Sequence, residues 1–200
     1  MVGAAQALIA AVAACAALAA HGAHAREPQA FTVVGSCRDG QPHGAYELKD
    51  AAGTVRVVGA FNRGKRTGSF LFWSAGGARL AQLPYDDDEL SGNVAVWYPP
   101  VPGADQRQKL EAAYARGRLS GAKRSWHANG RERTQLRYAD GELVEARAFA
   151  DTGKPLPDAD ARTLAVRDQA VDARFIHSLS ALVREHLPRC QPAGDRLEKG

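Results

Sequence analysis

The first 25 residues contain no Asp, Glu, Lys or Arg, and nowhere after them is the chain apolar for long enough to span a bilayer. Ala, Leu, Ile and Val dominate this leader, which closes on Ala23-His24-Ala25 just before Arg26. An apolar core followed by a small-residue site reads as a cleaved signal peptide. The core is shorter than the ~20 residues a membrane anchor needs. Val12-Ala13-Ala14-Cys15 resembles a lipobox, but the residues after Cys15 stay apolar where a polar tether belongs. Lipidation at Cys15 therefore ranks below simple cleavage. The expected mature protein begins near Arg26 and is periplasmic or secreted.

Cysteine is scarce. Only Cys37 and Cys190 follow the leader, 153 positions apart. In an oxidising compartment they are expected to pair. Sparse too are the patterns of catalysis. His43, His127, His177 and His186 show no i, i+4 metal spacing, and no Cys-x-x-Cys occurs. There is no Gly-x-Ser-x-Gly elbow and no phosphate-binding loop. Cys37 follows Ser36 near a turn, but a disulfide role is favoured over a nucleophile. These absences point away from an enzyme, and no metal or cofactor is expected. The net charge of +4 is spread through turns rather than gathered in one run. That reads as a solvated surface, and nucleic acid is not an expected partner.

What the chain has in abundance is glycine at fixed phase. Gly44, Gly68 and Gly92 step by 24, then Gly121 follows after 29. Gly40 and Gly64, Gly117 and Gly141, and the set Gly53, Gly77 and Gly130 keep the same phase. So do Phe61, Tyr85, Tyr114 and Tyr138, and so do Trp73, Trp97 and Trp126, each with one five-residue excess in the same place. Independent columns that share one insertion mark a stacked repeat array. Repeats run from about Arg38 to Phe61, Asn62 to Tyr85, Asp86 to Tyr114 and Ala115 to Tyr138. A degraded fifth begins at Ala139 and fades near Leu156.

Each repeat reads as turn, strand, turn, strand. Leu83 and Tyr85, Leu110, Ala112 and Tyr114, and Thr134, Leu136 and Tyr138 alternate with polar neighbours, the mark of an antiparallel strand with one wet face. Phe70 to Trp73 and Val94 to Trp97 are apolar on both faces, so cover on both sides is expected there. A short strand, Phe31-Thr32-Val33-Val34, leads into the array and is expected to stop at Gly35. Repeat three carries the insertion Pro99-Pro100-Val101-Pro102-Gly103-Ala104-Asp105, stiffened by proline and unsuited to a strand. After Pro155-Leu156-Pro157 the period becomes helical. Leu164, Val171, Phe175, Leu179, Leu182 and Val183 form a stripe, Asp158 or Asp160 can cap its start, and Pro188 stops it. The expected organisation is a leader over 1–25, repeats over 26–157, a helical region over 158–190 that packs on the sheet or caps it, and a disordered tail over 191–200.

Two clusters stand out. Asp86-Asp87-Asp88-Glu89 is acidic, but consecutive carboxylates on a strand-like turn diverge. Pairing with the basic turns of the neighbouring repeats is expected ahead of calcium. Trp73, Trp97 and Trp126 are expected in the core or along a half-exposed face. On that second reading they form a binding surface with Tyr98, Pro99, Pro100 and Pro102.

The motifs Asn62-Arg63-Gly64-Lys65-Arg66-Thr67-Gly68, Trp73, Gly77 and Tyr85, and Gly117-Arg118-Leu119-Ser120-Gly121, Trp126-His127-Ala128-Asn129-Gly130 and Tyr138, resemble MORN-type repeats. They are most similar to the bacterial MORN-variant repeats often labelled antitoxin components. The resemblance covers roughly residues 36 to 156. It implies a mainly β fold: an elongated, twisted antiparallel sheet of 24-residue hairpins, here followed by one long amphipathic helix. It also implies a protein-binding scaffold, of immunity or antitoxin type in one version, with binding of anionic lipid or of an envelope glycan as the alternative. The Pro-rich insertion, Asp88 in a glycine column and the long helix depart from the usual pattern.

Overall fold

The computed structural model describes residues 30–191. The leader, Cys15 and the tail from residue 192 lie outside the described residues. Eleven antiparallel strands form one open sheet. They are β1 (Phe31–Arg38), β2 (Gln41–Asp50), β3 (Val55–Asn62), β4 (Lys65–Trp73), β5 (Arg79–Asp86), β6 (Glu89–Leu90), β7 (Gly92–Trp97), β8 (Gln108–Ala115), β9 (Arg118–Trp126), β10 (Glu132–Ala139) and β11 (Glu142–Ala148). Spatial order follows chain order, except that the two-residue β6 pairs only with β5. Among the described residues one helix, α1 (Asp158–Glu185), follows.

The glycine columns are a turn code. Asp39-Gly40, Arg63-Gly64, Asp87-Asp88, Arg116-Gly117 and Asp140-Gly141 each have φ of 48–51° at the first residue and 74–90° at the second. Two positive φ values in a two-residue loop define the primed turn, whose twist matches that of the flanking strands. Gly44, Gly68, Gly92 and Gly121, with φ of 68–112°, sit where the register slips. A second irregularity repeats at Arg56, Leu80, Lys109 and Arg133. Each is an extra residue opposite a single step of its partner strand. Such a bulge turns its own side chain towards the face of its inward neighbour. Neighbouring repeats are also joined through their turns. Gly64 N donates to Pro42 O, Asp88 N to Arg66 O, Gly117 N to Leu90 O and Gly141 N to Leu119 O, at 2.7–3.1 Å.

One face of the sheet carries the core. Leu48, Val57, Phe72, Ala81, Val96 and Leu110 are cross-strand neighbours in one buried row. Tyr46, Phe61, Phe70 and Tyr85 meet edge-on beside it, with centroids 5.3–5.5 Å apart along the chain of contacts. Gly59 is glycine because the Phe70 ring occupies the space of a Cβ, 2.5 Å away.

The helix covers this face. Its N-terminal end touches β10 and β11, and past its C-terminal end His186 packs edge-on against Phe31 of β1. Twenty-eight residues span ~40 Å at about 1.5 Å each. The ten-strand path is ~43 Å wide at about 4.8 Å per strand. The helix falls just short of that width, and the segment after it completes the crossing, with His186 and Cys190 reaching β1. Tyr46 Oη donates to His186 O at 2.8 Å, and Tyr85 Oη shares a 2.8 Å hydrogen bond with Ser180 Oγ. Cys37 and Cys190 form a disulfide that ties the segment after the helix to β1.

Several expectations change. β1 continues through Gly35 to Arg38, and Gly35 leaves room for Pro188, whose Cγ would lie 2.7 Å from a Cβ. The helix ends at Glu185, short of Pro188, because residues just before a proline avoid the helical region. Pro157 occupies its N-cap, with Asp158 and Asp160 inside the first turn, where they complement the helix dipole. Its buried stripe is Ala161, Ala165, Ile176, Leu179, Ser180 and Val183, while Val171 is 43% exposed. Alanines at 161 and 165 bring the helix N-terminal half close to the sheet. Among the described residues, repeats two and three are covered on one face only: Phe70, Phe72, Val94 and Val96 lie under the helix, and Leu71 and Ala95 on the bare face are half-buried.

Candidate functional site

The bare face is built by alternation from the covered one. A cross-strand row crosses the whole sheet: Val34, Glu47, Val58, Leu71, Gln82, Ala95, Glu111, Arg124, Gln135 and Arg147. Trp73, Trp97 and Trp126 lie two residues beyond Leu71, Ala95 and Arg124, on the same face, and all three are half-buried. One strand separates each from the next, a spacing of ~9.6 Å. Their cross-strand partners Arg79, Gln108 and Glu132 are polar. The Arg79 guanidinium lies over the Trp97 ring at 4.8 Å. The result is a row in which indoles and polar side chains alternate, presented to solvent by a rigid sheet.

The insertion leaves this face at Trp97. Pro99, Pro100, Val101, Pro102 and Asp105 are exposed, and Val101 is 65% exposed. Hydrogen bonds pin the loop base: Gln106 Nε2 donates to Arg79 O at 2.6 Å and to Tyr98 O at 2.9 Å, and Tyr98 N donates to Arg107 O at 2.9 Å. Arg107 reaches the next hairpin and donates to Ala128 O at 2.7 Å. Arg131, one repeat on, makes the equivalent bond to Thr152 O at 2.6 Å. The loop and the neighbouring turn enclose an apolar groove of about 360 Å³, lined by Tyr98, Pro99, Pro100, Val101, Ala104 and Arg107. Tyr98 itself turns to the helix side, where its hydroxyl donates to Trp126 O at 2.8 Å and burial pushes its pKa up. Of the expected surface residues the groove takes in Tyr98, Pro99 and Pro100, while Trp97 and Pro102 do not line it. Trp73 lies further along the row, and Tyr98 serves as the hinge between faces.

A second, smaller cavity of about 200 Å³ sits between sheet and helix, lined by Tyr98, Lys109, Arg133, Asp168, Val171 and Asp172. Its carboxylates are occupied. Arg133 grips Asp168 in a bidentate pair at 2.9–3.1 Å, and Lys123 meets Asp172 at 2.7 Å. The space is below the ~300 Å³ at which small-molecule sites begin. Its geometry is that of a helix anchor.

The acidic turn joins repeats. Lys65 Nζ contacts Asp87 at 2.6 Å, and Arg66 binds Asp88 through its backbone N and its Nε. The expected pairing with the following turn does not form: Arg118 pairs with Asp140 at 2.9 Å instead. Among the histidines, His127 Nε2 contacts Phe149 O, His43 Nδ1 accepts from Arg63 N, and His186 Nδ1 contacts Leu182 O. Among the described residues no group of three His, Cys, Asp or Glu side chains is placed to hold a metal ion.

Arg79, Gln106 and Arg107 were not legible as site residues, because their roles depend on which strand lies beside them. The buried Lys123 left one trace. It occupies the column of Tyr46, Phe70 and Val94, and Asp172 on the helix answers it. No protein-family model matches the chain, and no curated protein matches it.

Proposed function

We propose that this chain is a non-catalytic, exported repeat scaffold of MORN-variant type that binds another protein through the bare face of its sheet. One observation carries the reading: the helix and its polar anchors cover one face from edge to edge, while the other keeps a half-buried indole row and a stiff insertion beside it. Trp and Arg are the side chains that dominate binding energy at protein interfaces. A proline-rich loop pinned at its base loses little entropy on binding. The 24-residue period supports the family reading, and the disulfide suits an oxidising compartment. An immunity or antitoxin role is the version that the family resemblance suggests. The second reading, an envelope lipid or glycan binder, rests on the same indole row, since aromatic rings also stack on sugars.

A photoreactive residue in place of Gln108, between Trp97 and Trp126, tests this in envelope extracts. A protein adduct that disappears with Trp97→Ala supports the scaffold. A glycan or lipid adduct supports the second reading. No adduct with any of these overturns both.

A further inference from the structure

Building on the protein-binding reading of the bare face, we infer that the indole row is a track for a proline-rich segment of the partner, bound as a polyproline II helix lying across the strands. Period selects this conformation. Trp73, Trp97 and Trp126 stand two strands apart, ~9.6 Å from one to the next. A polyproline II helix repeats every three residues at about 3.1 Å each, or ~9.3 Å per turn. One turn per repeat therefore brings the same edge of the segment to each indole in succession. A β-strand returns to one face every ~6.7 Å and an α-helix every ~5.4 Å, so neither keeps step with the row.

Hydrogen bonding selects proline. Among the described residues, Trp73 and Trp126 enter hydrogen bonds with side chains only through their backbone oxygens. Arg56 Nη1 is the one buried side-chain nitrogen there without a partner, so the indole nitrogens are open to solvent. Between the indoles stand Arg79 and Gln108. The Gln108 amide nitrogen is held only by a long 3.4 Å bond to Leu110 O. Glu132, the acid of the row, already accepts from Gln135 Nε2 at 2.7 Å. The row is thus rich in free donors and poor in free acceptors. A proline backbone is its complement, with carbonyls that make no internal hydrogen bonds and no N–H to strand against the face. Its rings fit between half-buried indoles, and its fixed φ limits the entropy lost on binding. The Arg79 guanidinium, 4.8 Å from the Trp97 ring centre, takes one face of the middle indole away from stacking with a sugar.

The chain has three tryptophans, all in the row, so the indole N–H resonances of the oxidised protein report on the track alone. They are followed by NMR while decaproline, a Gly-Ser peptide of equal length or an N-acetylglucosamine oligosaccharide is added. Decaproline should move all three signals and the Gly-Ser peptide none. Two intervals of ~9.6 Å need six rises of about 3.1 Å, so affinity should climb up to roughly seven prolines and then level off. Trp97→Phe keeps a ring but loses the donor. With an unchanged melting temperature it should bind decaproline ~3- to 10-fold more weakly, the worth of one hydrogen bond, and Trp97→Ala more weakly still. No shift with decaproline, or equal shifts with the Gly-Ser peptide, would overturn the inference. If the photoreactive residue at Gln108 still captures a protein, the protein-binding reading survives that failure. Shifts with the oligosaccharide alone, with no protein captured, overturn both and favour the glycan.

Discussion

Lys123 in β9 and Asp172 in α1 meet at 2.7 Å, with the lysine side chain only 2% exposed. The ammonium also donates to Gln169 Oε1 at 2.7 Å, and the Gln169 side chain in turn hydrogen-bonds Tyr114. In the first three repeats Tyr46, Phe70 and Val94 fill this column and bury against the helix. The fourth repeat replaces that apolar contact with an ion pair, and Arg133–Asp168 adds a second one turn away. A purely apolar helix could slide along an apolar sheet. Two ion pairs near its N-terminal half and the tyrosine bonds further on fix its register.

Removing one partner should therefore be costly. Asp172→Ala leaves a buried ammonium half-paired and should lower unfolding free energy by about 3–5 kcal/mol. Lys123→Met combined with Asp172→Leu should recover most of that loss. Urea unfolding of the three proteins gives the comparison, and a double variant as unstable as the single would contradict the account.

Reduction of Cys37–Cys190 should weaken the protein by about 5 kcal/mol, the chain-entropy value for so long a loop. The bond sits where the segment after the helix meets β1. Amide exchange in the reduced protein should consequently rise first around Leu182 to His186, and last in β3 to β5. Labelling of denatured, unreduced protein should find no free thiol from this pair.

Asp88 should make stability depend on acid pH. Burial alone would raise its carboxyl, but side-chain and backbone hydrogen bonds from Arg66 outweigh it and hold the pKa below the ordinary 3.8. A depressed carboxyl contributes stability that is present above the unfolded value and lost as pH falls through the folded one. Asp88→Asn keeps a side chain that tolerates the 77° φ but removes the charge. The gap in melting temperature between the two proteins should be constant above about pH 5, begin to narrow near 3.8 and close only as pH falls through the lower folded value. A gap that persists at lower pH would point to backbone strain instead.

The tyrosines should mark the alkaline limit. Burial pushes Tyr114 up to about 12, against a small opposing effect of its Gln169 hydrogen bond, and it raises Tyr46 and Tyr138 as well. A phenol whose folded pKa exceeds its unfolded 10.0 gives stability that is intact below pH 10 and lost towards the folded value. Phenolate absorbance and loss of structure should rise together between about pH 10 and 12. Full titration near pH 10 in the folded protein would argue that these rings are not buried.

Shortening Pro99–Asp105 to the length of the repeat-two turn should leave the fold unchanged, since Gln106 and Arg107 keep their bonds to Arg79 and Ala128. Binding of the protein partner should fall at least ~10-fold, about 1.4 kcal/mol. If the trimmed protein melts normally and binds as before, the site lies elsewhere on the indole row.

Local rules wrote much of this protein into its sequence. The primed turns needed glycine at a fixed phase, the strands needed alternation, and one shared insertion kept every column aligned, so the antiparallel array and its helix could be read from spacing alone. The same rules placed Trp73, Trp97 and Trp126 on one row. Tertiary structure decided what those residues face. Glycine at 35 read as a stop until Pro188 proved to occupy its Cβ space. The bulges at Arg56, Leu80, Lys109 and Arg133 keep the phase of the repeats, but no glycine marks them, because a bulge is a property of two strands and not of one. Which face the helix would cover, and hence which arginines and indoles remain bare, depended on contacts between residues 35 to 140 positions apart, such as Tyr46 with His186 and Arg133 with Asp168. Periodicity reports a residue's neighbours within its own strand or helix; it is silent about partners that only packing brings near.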